Sequence, residues 1–114
     1  MPGVIRKTEN LVTAIQQSKE YLSYSELRKY IVQETELSRQ LDAFRRQVFW
    51  LQNSENTSEA QAGIEKLQAE YKDILSNPKV LEYLAAEKAF TDMMKDIYVR
   101  IGNAVTFDLS FLEE

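Results

Sequence analysis

Leu37-Ser38-Arg39-Gln40-Leu41-Asp42-Ala43-Phe44-Arg45-Arg46-Gln47-Val48-Phe49-Trp50-Leu51 is the stretch that decides the fold. Leu37, Leu41, Phe44, Val48 and Leu51 step by four and three, the spacing that lays one apolar stripe along a helix. After the polar run Asn53-Ser54-Glu55-Asn56-Thr57-Ser58 the rhythm resumes at Ala60, Ile64, Leu67, Tyr71 and Ile74. Two striped helices joined by a short turn of capping residues predict an antiparallel hairpin over 37–75, seams facing.

Toward the C-terminus, Ser76-Asn77-Pro78 closes one helix and opens the next, with Asn77 as cap and Pro78 at the first helical position, where a missing amide costs nothing. The helix that follows, 78–105, is expected to be the longest. Val80, Tyr83, Glu87, Phe90, Met94, Ile97, Ile101 and Ala104 hold the rhythm, and Leu84, Thr91, Tyr98 and Val105 widen the face enough for more than one partner helix. Beyond it, Phe107, Leu109 and Phe111 alternate with polar residues, which predicts an extended tail, 106–114, docked on a helical surface.

Toward the N-terminus, residues 1–36 read as two helices. The first runs from about Val4 to Leu22 with Leu11, Ile15, Ser18 and Leu22 on one stripe. Ser23-Tyr24-Ser25-Glu26 fits a capping box, making Ser23 the expected cap of a second helix that carries Leu27, Tyr30 and Ile31. A bend is expected near Gln33 to Glu36, with Thr35 capping the hairpin's first arm. The fold class is therefore all-α: an antiparallel helical hairpin plus a long C-terminal helix, in one domain spanning 1–114, a bundle with more apolar stripe than it buries alone and hence expected to form a homodimer or higher oligomer.

Composition narrows the function. The 114 residues contain no cysteine and no histidine. Disulfides, thiolate chemistry, the commonest general base and the usual zinc ligands go with them, so neither an enzyme nor a metal or other cofactor is expected. No apolar run approaches the roughly 20 residues of a membrane span, and the N-terminus lacks a signal-peptide core, so a cytoplasmic protein without membrane insertion is expected. The net charge of −4 disfavours broad nucleic-acid binding. It is unevenly spread: eight basic and six acidic residues through Gln52, six and twelve after it.

Among candidate residues, Glu87 lies in the seam of the last helix between Tyr83 and Phe90. A structural carboxylate bonded across the bundle to a tyrosine, arginine or lysine is the plainer reading. A ligand contact in a pocket beside Tyr83 and Phe90 is the sharper one. Phe49 and Trp50 fall off the seam near the hairpin tip, either buried against the first helix or another subunit, or exposed as a partner's anchor. Arg45 and Arg46 precede them. A basic pair beside aromatics suits RNA stacking, but also suits a solvated face that meets Glu65, Glu70 and Asp73 on the opposing arm.

Leu11, Ile15, Ser18, Tyr21 and Tyr24, the Leu41 and Phe44 arm, Asn77-Pro78-Lys79-Val80, Tyr83, Ala86-Glu87 and Ile101-Gly102-Asn103-Ala104-Val105 together resemble the YlbF/YmcA family of small helical regulators of Gram-positive bacteria. The resemblance implies an all-helical, self-associating protein without enzymatic activity. It further implies an accessory factor linked to competence, sporulation, biofilm control and RNA maturation through the membrane-anchored endoribonuclease RNase Y. Better-studied members carry cysteines associated with an iron–sulfur cluster, and with no cysteine here cluster binding does not carry over. The expected function is a non-catalytic adaptor that binds protein partners, sister-family proteins or a ribonuclease, with Arg45, Arg46, Phe49 and Trp50 as the partner-binding residues. Direct RNA binding along the first hairpin arm is the alternative.

Overall fold

The computed structural model describes residues 2–106 and 108–112, and among these the regular structure is helical throughout. Six α-helices follow one another: α1 Pro2–Gln16, α2 Lys19–Gln33, α3 Thr35–Gln52, α4 Thr57–Glu70, the short α5 Lys72–Leu75 and α6 Pro78–Ala104; a single 3-10 turn, Ser110–Leu112, comes after them. Helices α3 and α4 form the hairpin. Asn56 opens α4 by accepting the Glu59 amide at 3.1 Å, and the Asn53 side chain closes α3 by donating to the Phe49 carbonyl at 2.8 Å. Gly63 lets the arms approach, because a Cβ there would sit 2.9 Å from a methyl of Leu51.

Asn77 caps α6, its side chain accepting the Lys79 amide at 2.9 Å, with Pro78 in the first turn. At 27 residues α6 is the longest of these helices. It packs chiefly against α2, antiparallel, as the facing pairs Tyr30–Lys79, Tyr24–Tyr83 and Tyr21–Phe90 require. The core gathers where α2, α3, α4, α5 and the start of α6 converge: Ile31, Leu41, Phe44, Leu67, Ile74, Val80 and Tyr83. Everything else hangs from that knot. The radius of gyration is 18.6 Å, against about 13 Å for a compact domain of this length, and the extents are 50 × 43 × 17 Å.

Five local expectations are corrected. The first helix ends at Gln16, not Leu22, and Ser23 is not a cap but an exposed residue inside α2. Ser18 does that work: its hydroxyl donates to the Ile15 carbonyl at 2.6 Å and accepts the Tyr21 amide at 3.2 Å, closing α1 and opening α2 at one atom. A break at Ser23 would split the row Tyr21, Tyr24, Leu27 and Ile31 that lies on the core and α6, so tertiary packing overrides the capping-box signal. The bend before α3 is at Glu34, whose amide donates to the Ile31 carbonyl, so Thr35 is the first helical residue and not the cap.

The second hairpin arm is interrupted at Tyr71, which separates α4 from α5. Among the described residues the tail is not docked: Leu109, Phe111 and Leu112 stay exposed and the Ser110–Leu112 turn meets no helix, while Phe107 lies outside the described residues. Asp108 instead closes a local turn, accepting the Ser110 amide and hydroxyl, and these bonds hold its carboxyl below the usual range.

Candidate functional site

Arg45 and Glu87 meet across the molecule. Arg45, on the face of α3 turned toward α6, donates from Nη2 to the Glu87 carboxylate and from Nη1 to the Tyr83 hydroxyl at 3.2 Å, and its guanidinium lies 5.8 Å from the Tyr83 ring centroid. The Tyr83 hydroxyl is 3.5 Å from the same carboxylate. Tyr83 and Glu87 are one turn apart on α6, so both reach Arg45 from one side. Burial pushes the Tyr83 hydroxyl up to about 12, against the pull of the Arg45 cation; neighbouring Tyr24 and Glu87 add to the rise. The phenol is a fixed neutral donor and acceptor at physiological pH.

The space beside Glu87 is occupied by rings. Tyr24 stacks between Tyr83 and Phe90 with centroids 5.7 and 5.3 Å away, and Tyr21 meets Phe90 edge-on at 5.4 Å. This aromatic row joins α2 to α6 next to the ion pair. Glu87 thus takes a cross-bundle partner, and its geometry matches a structural carboxylate better than a ligand contact in a pocket beside Tyr83 and Phe90. Among the described residues no group of three or more carboxylate, histidine or cysteine side chains is placed to hold a metal ion.

The four candidate partner residues share one cleft but differ in their ties. Arg45 is bound to Glu87 and Tyr83 of α6, not to the opposing hairpin arm, and keeps part of its side chain in solvent. Arg46, Phe49 and Trp50 face solvent along the outer flank of α3, with Phe49 57% and Trp50 70% exposed. Phe49 and Trp50 pack edge to face on each other, centroids 5.5 Å apart, rather than against the first helix. With Asp42 and the outer edge of Arg45 they line a shallow cleft near the hairpin tip. The geometry offers a surface with aromatic anchors beside the exposed Arg46, and among the described residues no nucleophile, base and oxyanion site converge there.

Sequence reasoning expected more apolar stripe than one chain buries but did not place the excess on α1 and the end of α6. Val4, Ile5, Leu11 and Val12 on α1 are exposed, and α1 buries nothing. Only α2 touches α1. On α6 the face toward α2 is covered from Val80 to Ala86, half-covered through Ile97, and bare at Tyr98 and Ile101, as is Val105 at the C-cap. The spacing of Val4, Leu11 and Ile15, seven and four residues apart and so on one helical face, is a visible signal, but periodicity does not report whether a partner is present.

A family model described as "Control of competence regulator ComK, YlbF/YmcA" matches residues 4–106. The chain belongs to the YlbF/YmcA family. This YlbF/YmcA member is 30% identical over 107 residues to a UPF0342 protein of Symbiobacterium thermophilum, covering 90% of this chain and 93% of that one. It is 26% identical over 99 residues to a UPF0342 protein of Caldicellulosiruptor bescii, covering 85% and 83%. No solved structure matches it. YlbF/YmcA proteins are described by control of a regulator and not by a reaction, which assigns this chain a regulatory role. Among the described residues no helix is long and apolar enough to cross a membrane.

Proposed function

We propose that this YlbF/YmcA-family protein is a cytoplasmic, non-catalytic adaptor that self-associates through its helices and presents the outer flank of α3 to protein partners. The observation that carries the reading is the contrast within α3. Leu41 is 1% exposed and Phe44 9%, whereas Phe49 and Trp50, between one and two turns past Phe44, stand bare beside Arg46. Large aromatics left in water next to an arginine are the composition of an interface centre rather than of an inert surface. The catalytic alternative finds little support: the one carboxylate in the α6 seam is tied to Arg45.

The setting implied by the family is RNA processing or competence control, and the partners proposed are an RNase Y-type ribonuclease and sister-family chains. RNA itself suits the flank less well, because Arg45 in the cleft is already paired with Glu87, Asp42 lies beside Arg46, and the chain is net negative. The test is affinity capture from native cytoplasm with wild type beside an Arg46→Glu, Trp50→Ala double variant. Both substitutions are on exposed side chains, so helicity and mass are expected to match wild type. Capture of the ribonuclease or a sister chain by wild type, lost in the variant, supports the reading. Equal capture by both removes the flank of α3 as the site. Failure of wild type to capture either protein, together with a salt-sensitive shift of labelled RNA, replaces the adaptor with direct RNA binding.

A further inference from the structure

The bare apolar rows of α1 and of the end of α6 match each other in length, spacing and register. α2 covers α6 antiparallel as far as the Tyr21–Phe90 contact, and α2 begins at Lys19, so from about Met94 to Ala104 the same face of α6 runs out of cover, half-covered through Ile97 and bare from Tyr98 on. That overhang is roughly 16 Å long, and α1 is about 22 Å at ~1.5 Å per residue. Ten residues further along in the same antiparallel register, Tyr21–Phe90 becomes Leu11 opposite Arg100, with Ile101 alongside, and Ile15 falls opposite the Ile97 turn. A helix continuing straight from α2 would cover the overhang. It does not continue: the Ser18 hydroxyl ends α1 and starts α2, and α1 makes no contact with α6 of its own chain.

We infer that α1 of one copy covers the end of α6 of a second copy, and the reverse, in a two-fold dimer joined at the Ser18 joints. The inference rests on the self-association proposed above and says where it occurs. Each chain supplies one of the two complementary rows at each contact, so the exchange closes at two copies and leaves no bare row to recruit a third. Val4, Ile5, Leu11, Val12, Tyr98, Ile101 and Val105 are between 39% and 65% exposed. At roughly 150–200 Å² for a large side chain, they present on the order of 650 Å² per chain, so the reciprocal contacts cover about 1,300 Å², enough for a specific interface of ~1,200–2,000 Å². The hairpin takes no part, which leaves Arg46, Phe49 and Trp50 free on both copies.

The absence of cysteine makes the test direct, since a single introduced thiol has no competitor. Mass is measured first by light scattering at micromolar concentration, and a dimer is expected. Leu11→Cys protein is then mixed with differently tagged Ile101→Cys protein and oxidised. The mixed Leu11–Ile101 disulfide is expected in at least about tenfold excess over either like pair, and the doubly substituted chain is expected as a covalent dimer. A dimer without the mixed disulfide overturns this placement while leaving self-association standing. A doubly substituted chain that closes within itself shows α1 folding back on its own α6 and overturns the exchange. A monomeric wild type overturns both. As a second reading of the same surface, Leu11→Glu, at an exposed position, is expected to keep its helicity and shift the mass to one chain; an unchanged dimer counts against the inference.

Discussion

A double-mutant cycle on Arg45 and Glu87 separates the structural reading of this pair from the ligand reading. The side chains are 39% and 25% exposed, so the pair sits between the surface and the interior. Exposed ion pairs couple by about 0.2–1 kcal/mol, because water and salt screen them, while stripping one partner from a fully buried pair costs about 3–5 kcal/mol. Water reaches the Arg45 guanidinium once Glu87 is gone, and Tyr83 still accepts from its Nη1 at 3.2 Å, which places the loss nearer the lower range.

Glu87→Gln and Arg45→Met are each expected to cost about 1–2 kcal/mol, and the double variant about 1 kcal/mol less than their sum. The readout is urea unfolding followed by far-UV circular dichroism, with melting temperatures lowered by about 4–8 °C in the single variants. Single variants whose losses add within about 0.3 kcal/mol would refute the coupling. A Glu87→Gln protein of unchanged stability would return the carboxylate to the ligand reading.

Two more outcomes follow from the same geometry. Tyr83 holds its proton up to about 12 when folded against 10.0 for an ordinary phenol. The folded state therefore binds a proton that the unfolded state releases, so this contribution to stability is whole below pH 10 and is lost as pH rises from 10 to 12. The ultraviolet titration of wild type minus that of Tyr83→Phe isolates this phenol; a difference curve centred near 10 would refute its burial. Ser18→Ala removes the hydroxyl shared by two helix ends and is expected to cost about 1–2 kcal/mol in urea, whereas Ser23→Ala, at an exposed position inside α2, is expected to be neutral or slightly stabilising. The reverse order of these two serines would restore the original boundary.

What was legible in the sequence was what neighbouring residues decide together. The hairpin and α6 are specified by apolar spacing plus strong local punctuation at Asn53, Asn56 and Asn77-Pro78, and these elements lie where the pattern puts them. The serine question was different, because Ser23 carries the better local signature and Ser18 wins only when the row from Tyr21 to Ile31 has to stay on one uninterrupted helix. Arg45 could not be assigned from its surroundings in sequence either: its partner is 42 positions away, and acidic residues on α4 were nearer to hand. Phe49 and Trp50 were open between burial and exposure because spacing places them off the seam without saying what lies beyond it. The tail shows the same limit, since alternation of Leu109 and Phe111 with polar residues describes a two-sided strip but supplies no surface for one side to rest on.

The pairing of α2 with α6 also sets the order in which the chain can mature during synthesis. Residues 35–70 form their hairpin from contacts close in sequence, so it can close as soon as it is made. α2, made earlier, packs mainly on a helix that begins at Pro78, and at about 5–20 residues per second its aromatic row waits on the order of several seconds for Tyr83 and Phe90 to emerge. Throughout that interval Tyr21, Tyr24 and Ile31 lack their cover. The nascent chain's exposure to chaperones and to mispairing therefore lies in its opening segment, before the last helix arrives.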